Sequence, residues 1–505
     1  MKRRASLRRR LDTWGLRVQA RLDAEWADRS LPWALAVVLF ALLLAMSLAV
    51  VRQLDGGPGL AVWTQAAWNV RHGGGPVSSI AQSNVVTDQW SFVAYPVLWL
   101  SHFAPAAQVF AATQAFALSL TVVPLWRLAR TAFALRVGTT VAVIAAFALA
   151  PAVHAVNLSL FHPEVVAIPA LAWCALLRRQ DHWIRYFACI AVVLACRADL
   201  GLAVAAVGLV ALLDGDRWRA LVTIVVGAAW TVAAVVVLDP RLPADRVTAG
   251  RAFAEQGPAA LAEARRIVLH PATVIGHLTG QQSVVIIVAL FAPLLFLGFA
   301  APRTLIPAIP IFVLGIGAGQ SLQALTEPGI GRGGLGAGRV VVAVIPITVA
   351  ALVALSRIGQ RSVSRVNVDH RLVGAMAIAS VLLFVQYAPS SPYQHPWAWG
   401  SRDDTDMARL AAVDSLPDRM SVTVTPQLSA LVASRRYVAE TWIGPPTSPD
   451  SWEPTTDAVI LDTTGSDDTG TSLWNEDDRS EIVADLEAHG YRELTRSKGI
   501  LTFRR

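Results

Sequence analysis

The stretch LPWALAVVLFALLLAMSLAVV, residues 31–51, decides the fold class of this chain. It contains no charged side chain, and a helix of about 20 apolar residues is long enough to cross the hydrocarbon core of a bilayer. Further apolar runs follow it, and 54% of all residues are apolar while only 16% are charged. This composition excludes an ordinary soluble globular protein and predicts an α-helical polytopic membrane protein.

Basic residues surround these apolar runs in a pattern that indicates orientation. Residues 1–30 form a basic N-terminus without the small-residue cleavage site of a signal peptide, so residues 31–51 are predicted to be an uncleaved span with the N-terminus in the cytoplasm. Arginines then recur in every second connection, as the positive-inside rule requires. Topology therefore explains the net charge of +7, and we expect no nucleic-acid partner.

The apolar runs predict about eleven spans in the plasma membrane, which place the C-terminus outside the cytoplasm. They lie near residues 31–52, 106–127, 136–154, 164–177, 184–196, 199–213, 219–238, 284–300, 304–322, 339–356 and 372–388. Several are shorter than the length that a perpendicular helix needs to cross the bilayer, so their bounds are open by several residues and their number by one or two.

The chain divides into three regions. Residues 1–30 are the cytoplasmic N-terminus, and residues 31–388 are a multi-span domain with outer loops at 53–105, 239–283 and 323–338. From residue 389 to 505 the composition becomes acidic and apolar runs shrink to strand length, which predicts a small extracytoplasmic α/β domain. Within the first outer loop, residues 91–103 contain Pro96 and are predicted to be an interfacial helix.

The tetrapeptide FHPE, residues 161–164, places His162 and Glu164 between two apolar runs. Ionisable groups at such a depth are costly and often functional, and we expect them to line a polar cavity. The alternative is structural, because Pro163 suits the first turn of a helix and Glu164 would complement the helix N-terminus. Both interpretations remain open.

Other polar residues fall on the same predicted outer face. Arg197 and Asp199 lie between two apolar runs, and Arg339 enters a span after a glycine-rich loop. An arginine fork suits a phosphate group, although a self-neutralising ion pair or a snorkelling side chain would also explain them. Asp55 and Asp88 in the first outer loop are candidate general bases, or else solvated loop residues and helix caps.

The order of these motifs resembles a known family. Residues 63–68 (WTQAAW), Asp88, the tetrapeptide 161–164 and residues 197–199 (RAD) are similar to the prokaryotic family of predicted membrane proteins called domain of unknown function 2079, over nearly the whole chain. That family is in turn similar to GT-C glycosyltransferases. The sequence departs from the family pattern at Gly59, where an aspartate is usual, and Asp55 is close enough to substitute.

The resemblance implies an activity and its participants. A sugar would move from a polyprenyl-phosphate donor to an envelope glycan or protein acceptor at the outer face, with Asp88 or Asp55 as base. The cationic Arg197 and Arg339 would hold the lipid phosphate, and His162, Glu164 and Asp199 would shape the site. The membrane lipid and the lipid-linked sugar are the expected partners, with no metal or other cofactor.

Two other functions stay open from the sequence. A non-catalytic relative could keep the lipid-binding cavity and serve as a binding or assembly protein of the cell envelope. A transporter is the third possibility, and it is disfavoured. A transporter would be expected to carry its charges near the bilayer midplane between inverted repeats, whereas the polar groups here gather at one face.

Overall fold

The structure is a computed structural model that describes residues 25–54, 56–238, 288–317, 340–362, 365–393, 400–441, 455–465 and 474–505. Two predicted site residues, Asp55 and Arg339, lie outside the described residues. The same holds for the predicted outer loops 239–283 and 323–338.

The described chain is mainly helical, and its principal helices are numbered here in chain order. They are α1 (Glu25–Arg52), α2 (Gly57–Arg71), α3 (Val85–Gln89), α4 (Ala94–Leu100), α5 (Ala106–Leu120), α6 (Val122–Arg127), α7 (Val137–Ala148), α8 (Pro151–Leu158), α9 (Ala167–Arg179), α10 (Trp183–Cys196), α11 (Leu200–Leu213), α12 (Arg217–Leu238), α13 (Pro302–Leu305), α14 (Ala308–Gly317), α15 (Val344–Ile358), α16 (His370–Tyr387), α17 (Asp404–Asp414), α18 (Ser429–Val432) and α19 (Glu476–Ala488).

Three helical segments among the described residues are long and apolar enough to cross a membrane. They are α1, the segment Ala106–Ala132 that contains α5 and α6, and α16. Helices α7 and α8 would make a fourth if they form one span, although they bend by 43° at their junction. The prediction of eleven continuous spanning helices was therefore too high for the part of the chain that the structure describes.

Local features of the chain explain why fewer helices than predicted are long enough to cross a membrane. Pro151 begins α8 and cannot donate a backbone hydrogen bond, which explains the bend after α7. The run predicted as a span at residues 284–300 contains two short 3-10 turns, Ala292–Leu294 and Leu297–Ala300, separated by left-handed Leu295 and Phe296. Helices α10, α11 and α15 have only 14 or 15 residues.

Large apolar side chains are exposed along the outer faces of several helices. Val38 and Leu42 on α1, Val232 on α12 and Leu382 on α16 are each more than half exposed. Water would disfavour such rows, whereas lipid tails would not. The exposed faces therefore agree with a membrane environment for these helices.

Small residues allow α11 and α12 to approach closely. A Cβ atom added at Gly208 would lie 2.9 Å from the carbonyl oxygen of Ala220, and one at Gly227 would lie 2.6 Å from the backbone nitrogen of Ala205. Both distances are too short for a side chain. Close backbone packing of this kind is typical of helix pairs inside membranes.

Two short hairpins precede the C-terminal region: β1 (Val77–Ser78) with β2 (Ser83–Asn84), and β3 (Gln360–Ser362) with β4 (Arg365–Asn367). The C-terminal region contains strands, as predicted, and they form one five-stranded sheet. Its strands are β5 (Val422–Val424), β6 (Val438–Glu440), β7 (Ala458–Asp462), β8 (Arg492–Ser497) and β9 (Ile500–Arg504), in the order β6-β5-β7-β9-β8. Strands β6, β5 and β7 are parallel, and β9 runs antiparallel to β7 and β8. The three-residue edge strand β6 was not predicted, because it is too short to show a hydrophobic pattern.

The sheet docks on the first outer loop through its edge. The Ser79 hydroxyl donates to the carbonyl of Val438 at 2.7 Å and accepts from the amide of the same residue at 2.8 Å. Gln65 on α2 donates to Ser79 at 2.8 Å and to the carbonyl of Arg435 at 3.3 Å. These contacts require the loop and the sheet to lie on the same side of any membrane.

A second polar cluster joins α1 to two later connections. Arg130 donates to Asp28 at 2.6 Å, and Arg365 donates to the same carboxylate at 3.4 Å and to the carbonyl of Arg130 at 2.8 Å. Arg130 is fully buried, so this network holds three distant segments together at the end of the bundle where the sequence predicts inner arginines.

Candidate functional site

The tetrapeptide 161–164 and residues 197–199 meet in one buried cluster of charge. Arg197 donates through Nη1 to Oε1 of Glu164 at 2.8 Å and through Nη2 to Oδ2 of Asp199 at 2.7 Å. His162 Nδ1 lies 3.7 Å from Glu164 Oε1. All four residues are less than a tenth exposed, so their charges are shielded from water and depend on one another.

The local backbone explains how Glu164 reaches the cluster. His162 is extended, with φ −135° and ψ 110°, and Pro163 opens the 3-10 turn Pro163–Val166 that leads into α9. Proline suits this first position because its fixed φ fits the turn and its missing N–H needs no partner. Glu164 thus lies in the first turn, as the structural interpretation predicted, yet its carboxylate also contacts Arg197.

Arg197 is neutralised by its neighbours. It is extended between α10 and α11, and its single positive charge faces two carboxylates. The predicted ion pair between Arg197 and Asp199 is present, together with a contact to Glu164 that spacing did not suggest. A lipid phosphate approaching this guanidinium would therefore meet two carboxylates that already accept three of its five N–H groups.

His162 is held by groups from other segments. Its Nε2 atom lies 2.8 Å from the hydroxyl of Ser159, and its backbone N–H donates to the side chain of Gln114 at 2.8 Å. The amide of Gln114 also donates to the carbonyl of Val156. A glutamine inside the apolar run 106–127 is the sequence signal that would have identified this partner.

Aromatic packing brings the first outer loop to the tetrapeptide. The ring of Trp63 on α2 meets Phe161 edge to face at 5.1 Å, and Phe161 stacks on Phe110 at 4.6 Å. The motif at residues 63–68 therefore contacts the tetrapeptide at residues 161–164, although about 100 residues separate them in the chain.

Asp88 is joined to the charge cluster through the backbone. The carbonyl of Gln89 accepts from the amide of Ala198 at 3.3 Å, and Val93 donates to Ala195 at 3.0 Å. From these bonds and standard backbone lengths, the Cα atoms of Asp88 and Arg197 are separated by no more than about 15 Å. The loop that carries Asp88 thus packs beside the cluster.

The environment of Asp88 is unusual for a loop aspartate. Asn84 caps α3 by accepting from Val86 and Thr87, so Asp88 is not needed as the cap. Its Oδ2 atom is buried and has no hydrogen-bond partner. Burial raises the pKa of Asp88, and a hydrogen bond with Ser83 opposes this effect only in part.

Three unpredicted polar groups are also buried without partners in this region of the described chain. They are the hydroxyls of Thr64 and Ser91 and the indole N–H of Trp230. Trp230 on α12 packs edge to face on Trp90 at 5.1 Å, directly after Asp88 and Gln89. No sequence motif singles these groups out, because their burial depends on how α2, α3 and α12 pack.

The structure therefore unites most of the predicted site residues. His162, Glu164, Arg197 and Asp199 are in contact, and Gln89, the residue after Asp88, bonds through its carbonyl to the amide of Ala198, between Arg197 and Asp199. Across the described ranges, no group of three or more His, Cys, Asp or Glu side chains is arranged to hold a metal ion.

The fold and the site define an α-helical integral membrane protein with a buried charge cluster and a C-terminal α/β sheet. The chain belongs to the family described as predicted membrane protein (DUF2079), which matches residues 59–501. This confirms the family resemblance predicted from the motifs, while the family description names no reaction. No curated protein matches the chain.

Proposed function

We propose that the protein is an integral membrane glycosyltransferase that moves a sugar from a polyprenyl-phosphate donor to an acceptor hydroxyl on the outer face of the plasma membrane. The observation that supports this proposal is the carboxylate of Asp88, whose Oδ2 atom is buried without a partner in a loop whose backbone bonds to Ala198, between Arg197 and Asp199. A buried carboxylate with a raised pKa is suited to accept a proton.

The reaction would need one proton transfer and one displacement. Asp88 takes the proton from the acceptor hydroxyl, and the acceptor oxygen attacks the anomeric carbon of the donor sugar. The bond between that carbon and the phosphate oxygen breaks, and the polyprenyl phosphate leaves with the electron pair. Asp55 is the second candidate base, and it stays in the proposal on sequence grounds alone.

The charge cluster has a different role in this proposal from the one the resemblance implied. With Arg197 engaged by Glu164 and Asp199, the cluster positions the junction between α9 and α11 and the loop of Asp88. Arg339 then becomes the candidate cation for the donor phosphate. His162 sits at the edge of the cluster and lines the site.

The membrane arrangement belongs to the proposal as well. We propose that the shorter apolar helices α10, α11 and α15 also cross the bilayer and that the N-terminus lies in the cytoplasm. The 3-10 turn Pro163–Val166 directly precedes α9 and adds four residues to its length, which supports a span there as well. The contact between Ser79 and β6 supports a common outer side for the first loop and the sheet.

A second candidate function is a non-catalytic lipid-binding or assembly protein of the envelope. The neutralised state of Arg197 favours it, because a cluster that satisfies its own charges needs no substrate to complete it. In this case the carboxylate of Asp88 would only stabilise the loop, and no sugar would be transferred.

The two functions predict different effects of Asp88→Asn, which replaces one carboxylate oxygen by an amide nitrogen. A deletion strain should be complemented with the wild-type gene, with Asp88→Asn and with Asp418→Asn, and its lipid-linked sugars and envelope glycans profiled. Asp418 is a matched control, because it is an exposed aspartate of the C-terminal region. Equal amounts of each protein in the membrane must be verified by immunoblot.

The enzyme predicts that wild type and Asp418→Asn restore a missing glycan, while Asp88→Asn does not and the lipid-linked donor accumulates. Restoration by Asp88→Asn to the wild-type level would reject Asp88 as the base. If neither Asp88→Asn nor Asp55→Asn had an effect, the binding-protein function would be supported instead.

A further inference from the structure

A cavity of 530 Å³ lies between α9, α11, α14 and α15, away from the charge cluster. Its walls are mostly apolar, with Leu171, Val207, Ile311 and Val349 among the lining residues. Ligand pockets in proteins usually have volumes of about 300–1,000 Å³. The space is therefore large enough to hold a ligand and is lined to receive an apolar one.

The end of the cavity at Arg179 and Asp214 and the charge cluster lie at opposite ends of the same two helices. Helix α9 begins just after Glu164 and ends at Arg179, which lines the cavity, and α11 begins after Asp199 and ends before Asp214, which also lines it. These helices have 13 and 14 residues, so each is about 20 Å long. The cavity is thus distinct from the proposed transferase site.

One end of the cavity is rich in arginine. Four arginines line it, together with three aspartates: Arg178, Arg179, Arg303, Arg357, Asp181, Asp214 and Asp216. The aspartates are already paired. Asp214 accepts from Arg178 at 2.7 Å, and Asp181 and Asp216 lie 3.1 and 3.9 Å from Arg219, which is not part of the lining.

Among the described residues, three of the four lining arginines therefore form no ion pair with a carboxylate. Arg179 lies over the ring of Phe133 at 4.5 Å, and neither Arg303 nor Arg357 forms an ion pair within the described ranges. Arginine forks bind phosphate oxygens in pairs and at short distance. The mouth of the cavity has an excess of positive charge that suits a phosphate group.

The cavity is also long. Along α15 its lining runs from Ile345 to Arg357, and along α11 it runs from Ala203 to Asp214, just past the end of the helix. At 1.5 Å per residue these distances are about 18 and 16 Å. Apolar walls of that length behind a cationic mouth fit a hydrocarbon chain with an anionic head.

We propose that this cavity binds an amphiphile with a phosphate head and an apolar chain, the phosphate at Arg179, Arg303 and Arg357 and the chain between the helices. Basic pockets between spans on the cytoplasmic side are known to receive anionic lipid heads. The positive-inside rule alone explains arginines at helix ends, but it does not explain an apolar cavity that leads away from them.

The test uses the full chain purified in detergent and native mass spectrometry with three probes. Dioleoyl phosphatidic acid carries both features, dioleoylglycerol carries the same chains without phosphate, and inorganic phosphate carries the head alone. We expect phosphatidic acid to bind at least about tenfold more tightly than either other probe, because each lacks one half of the complementary surface.

Two variants locate the site. The triple variant Arg179→Gln, Arg303→Gln and Arg357→Gln should weaken binding of phosphatidic acid by at least about tenfold. A matched triple variant at exposed arginines outside the cavity, Arg185→Gln, Arg217→Gln and Arg361→Gln, removes the same charge and should change it less than about twofold. The thermal transition of each variant reports whether it is folded.

Either of two results would overturn the proposal. One is equal binding of phosphatidic acid by the two triple variants, which would show that the cavity arginines are not the site. The other is binding of dioleoylglycerol or of inorganic phosphate as tight as that of phosphatidic acid, which would show that head and chain are not recognised together. If the cavity variant fails to fold, Val207→Trp, which fills the cavity, takes its place and should weaken binding likewise.

Discussion

Arg197 Nη1 lies 2.8 Å from Glu164 Oε1, although the two residues are 33 positions apart in the chain. Their side chains are only 6% and 4% exposed. The pair joins the start of α9 to the start of α11, and Asp199 completes it from the other side of the guanidinium. Charges buried to this extent are stable only together, so the cluster makes the helix junction sensitive to the loss of any member.

Replacing Arg197 by leucine should destabilise the protein strongly. The change leaves Glu164 and Asp199 buried without a countercharge, and breaking a buried ion pair by removing one partner costs about 3–5 kcal/mol. Denaturant unfolding of the purified protein in detergent measures this loss. The control is Arg496→Leu, whose exposed pair with Glu493 should contribute less than about 1 kcal/mol.

Neutralising the whole cluster should restore part of this stability. The triple variant Arg197→Leu, Glu164→Gln and Asp199→Asn keeps the shapes of the two acidic side chains but removes their charges, so it should be more stable than Arg197→Leu alone. A triple variant that is as unstable as the single one would show that packing, not charge, dominates this junction.

Asp88→Asn should raise stability at neutral pH while abolishing sugar transfer. Burial raises the pKa of Asp88, so folding favours its protonated form. The stability that this preference supplies is present below the unfolded pKa of about 3.9 and is lost as the pH rises through the folded pKa. Asparagine resembles the neutral acid at every pH and avoids this loss.

The measurement is a thermal transition recorded against pH for wild type and Asp88→Asn. The difference between them should be small at acidic pH and should grow in favour of the variant as the pH rises through the folded pKa of Asp88. Activity, if Asp88 is the base, should follow the opposite course in wild type and fall as the pH decreases through that pKa. A variant that is less stable than wild type at neutral pH would contradict the conclusion that burial of the Asp88 carboxylate disfavours its charged form.

Ser79→Ala should loosen the contact between the C-terminal sheet and the first outer loop. It removes both hydrogen bonds to Val438 and leaves the edge of β6 unsatisfied, a loss of about 1–3 kcal/mol. Hydrogen exchange at residues 438–440 should become faster, while exchange in the central strand β7 should not change. The exposed Thr87→Ala, which loses only a local bond to Asn84, should leave β6 unaffected.

Labelling in intact cells tests the topology. In a cysteine-free background, cysteines placed at the exposed positions Arg71 and Tyr437 should react with a membrane-impermeant maleimide, because the loop and the sheet are in contact and are predicted to lie outside. A cysteine at Arg361, on the predicted inner side, should react only after the membrane is permeabilised. Labelling of positions 71 and 437 on different sides would contradict the contact between Gln65 and Arg435.

Much of the secondary structure could be predicted because its signals are local. The predicted spans at 31–52, 184–196 and 199–213 end within a few residues of α1, α10 and α11, since an uninterrupted apolar run and the polar residues that stop it lie next to each other in the chain. The same holds for the strand-length apolar runs predicted in the C-terminal region, one of which is the buried strand β7. The breaks at Leu295 and Phe296 were missed, because apolar side chains give no sign of a left-handed backbone.

The sequence by itself determined the membrane class, the family, the α/β nature of the C-terminal region and the residues that carry charge at the helix junctions. Only the tertiary structure decided that Glu164 and Asp199 both neutralise Arg197, that one oxygen of Asp88 is left without a partner, and that arginines from three separate segments surround one cavity. Apolar periodicity specifies where a helix begins and ends, but the partner of a buried charge depends on which helices pack together. That choice is made by contacts between residues far apart in the chain.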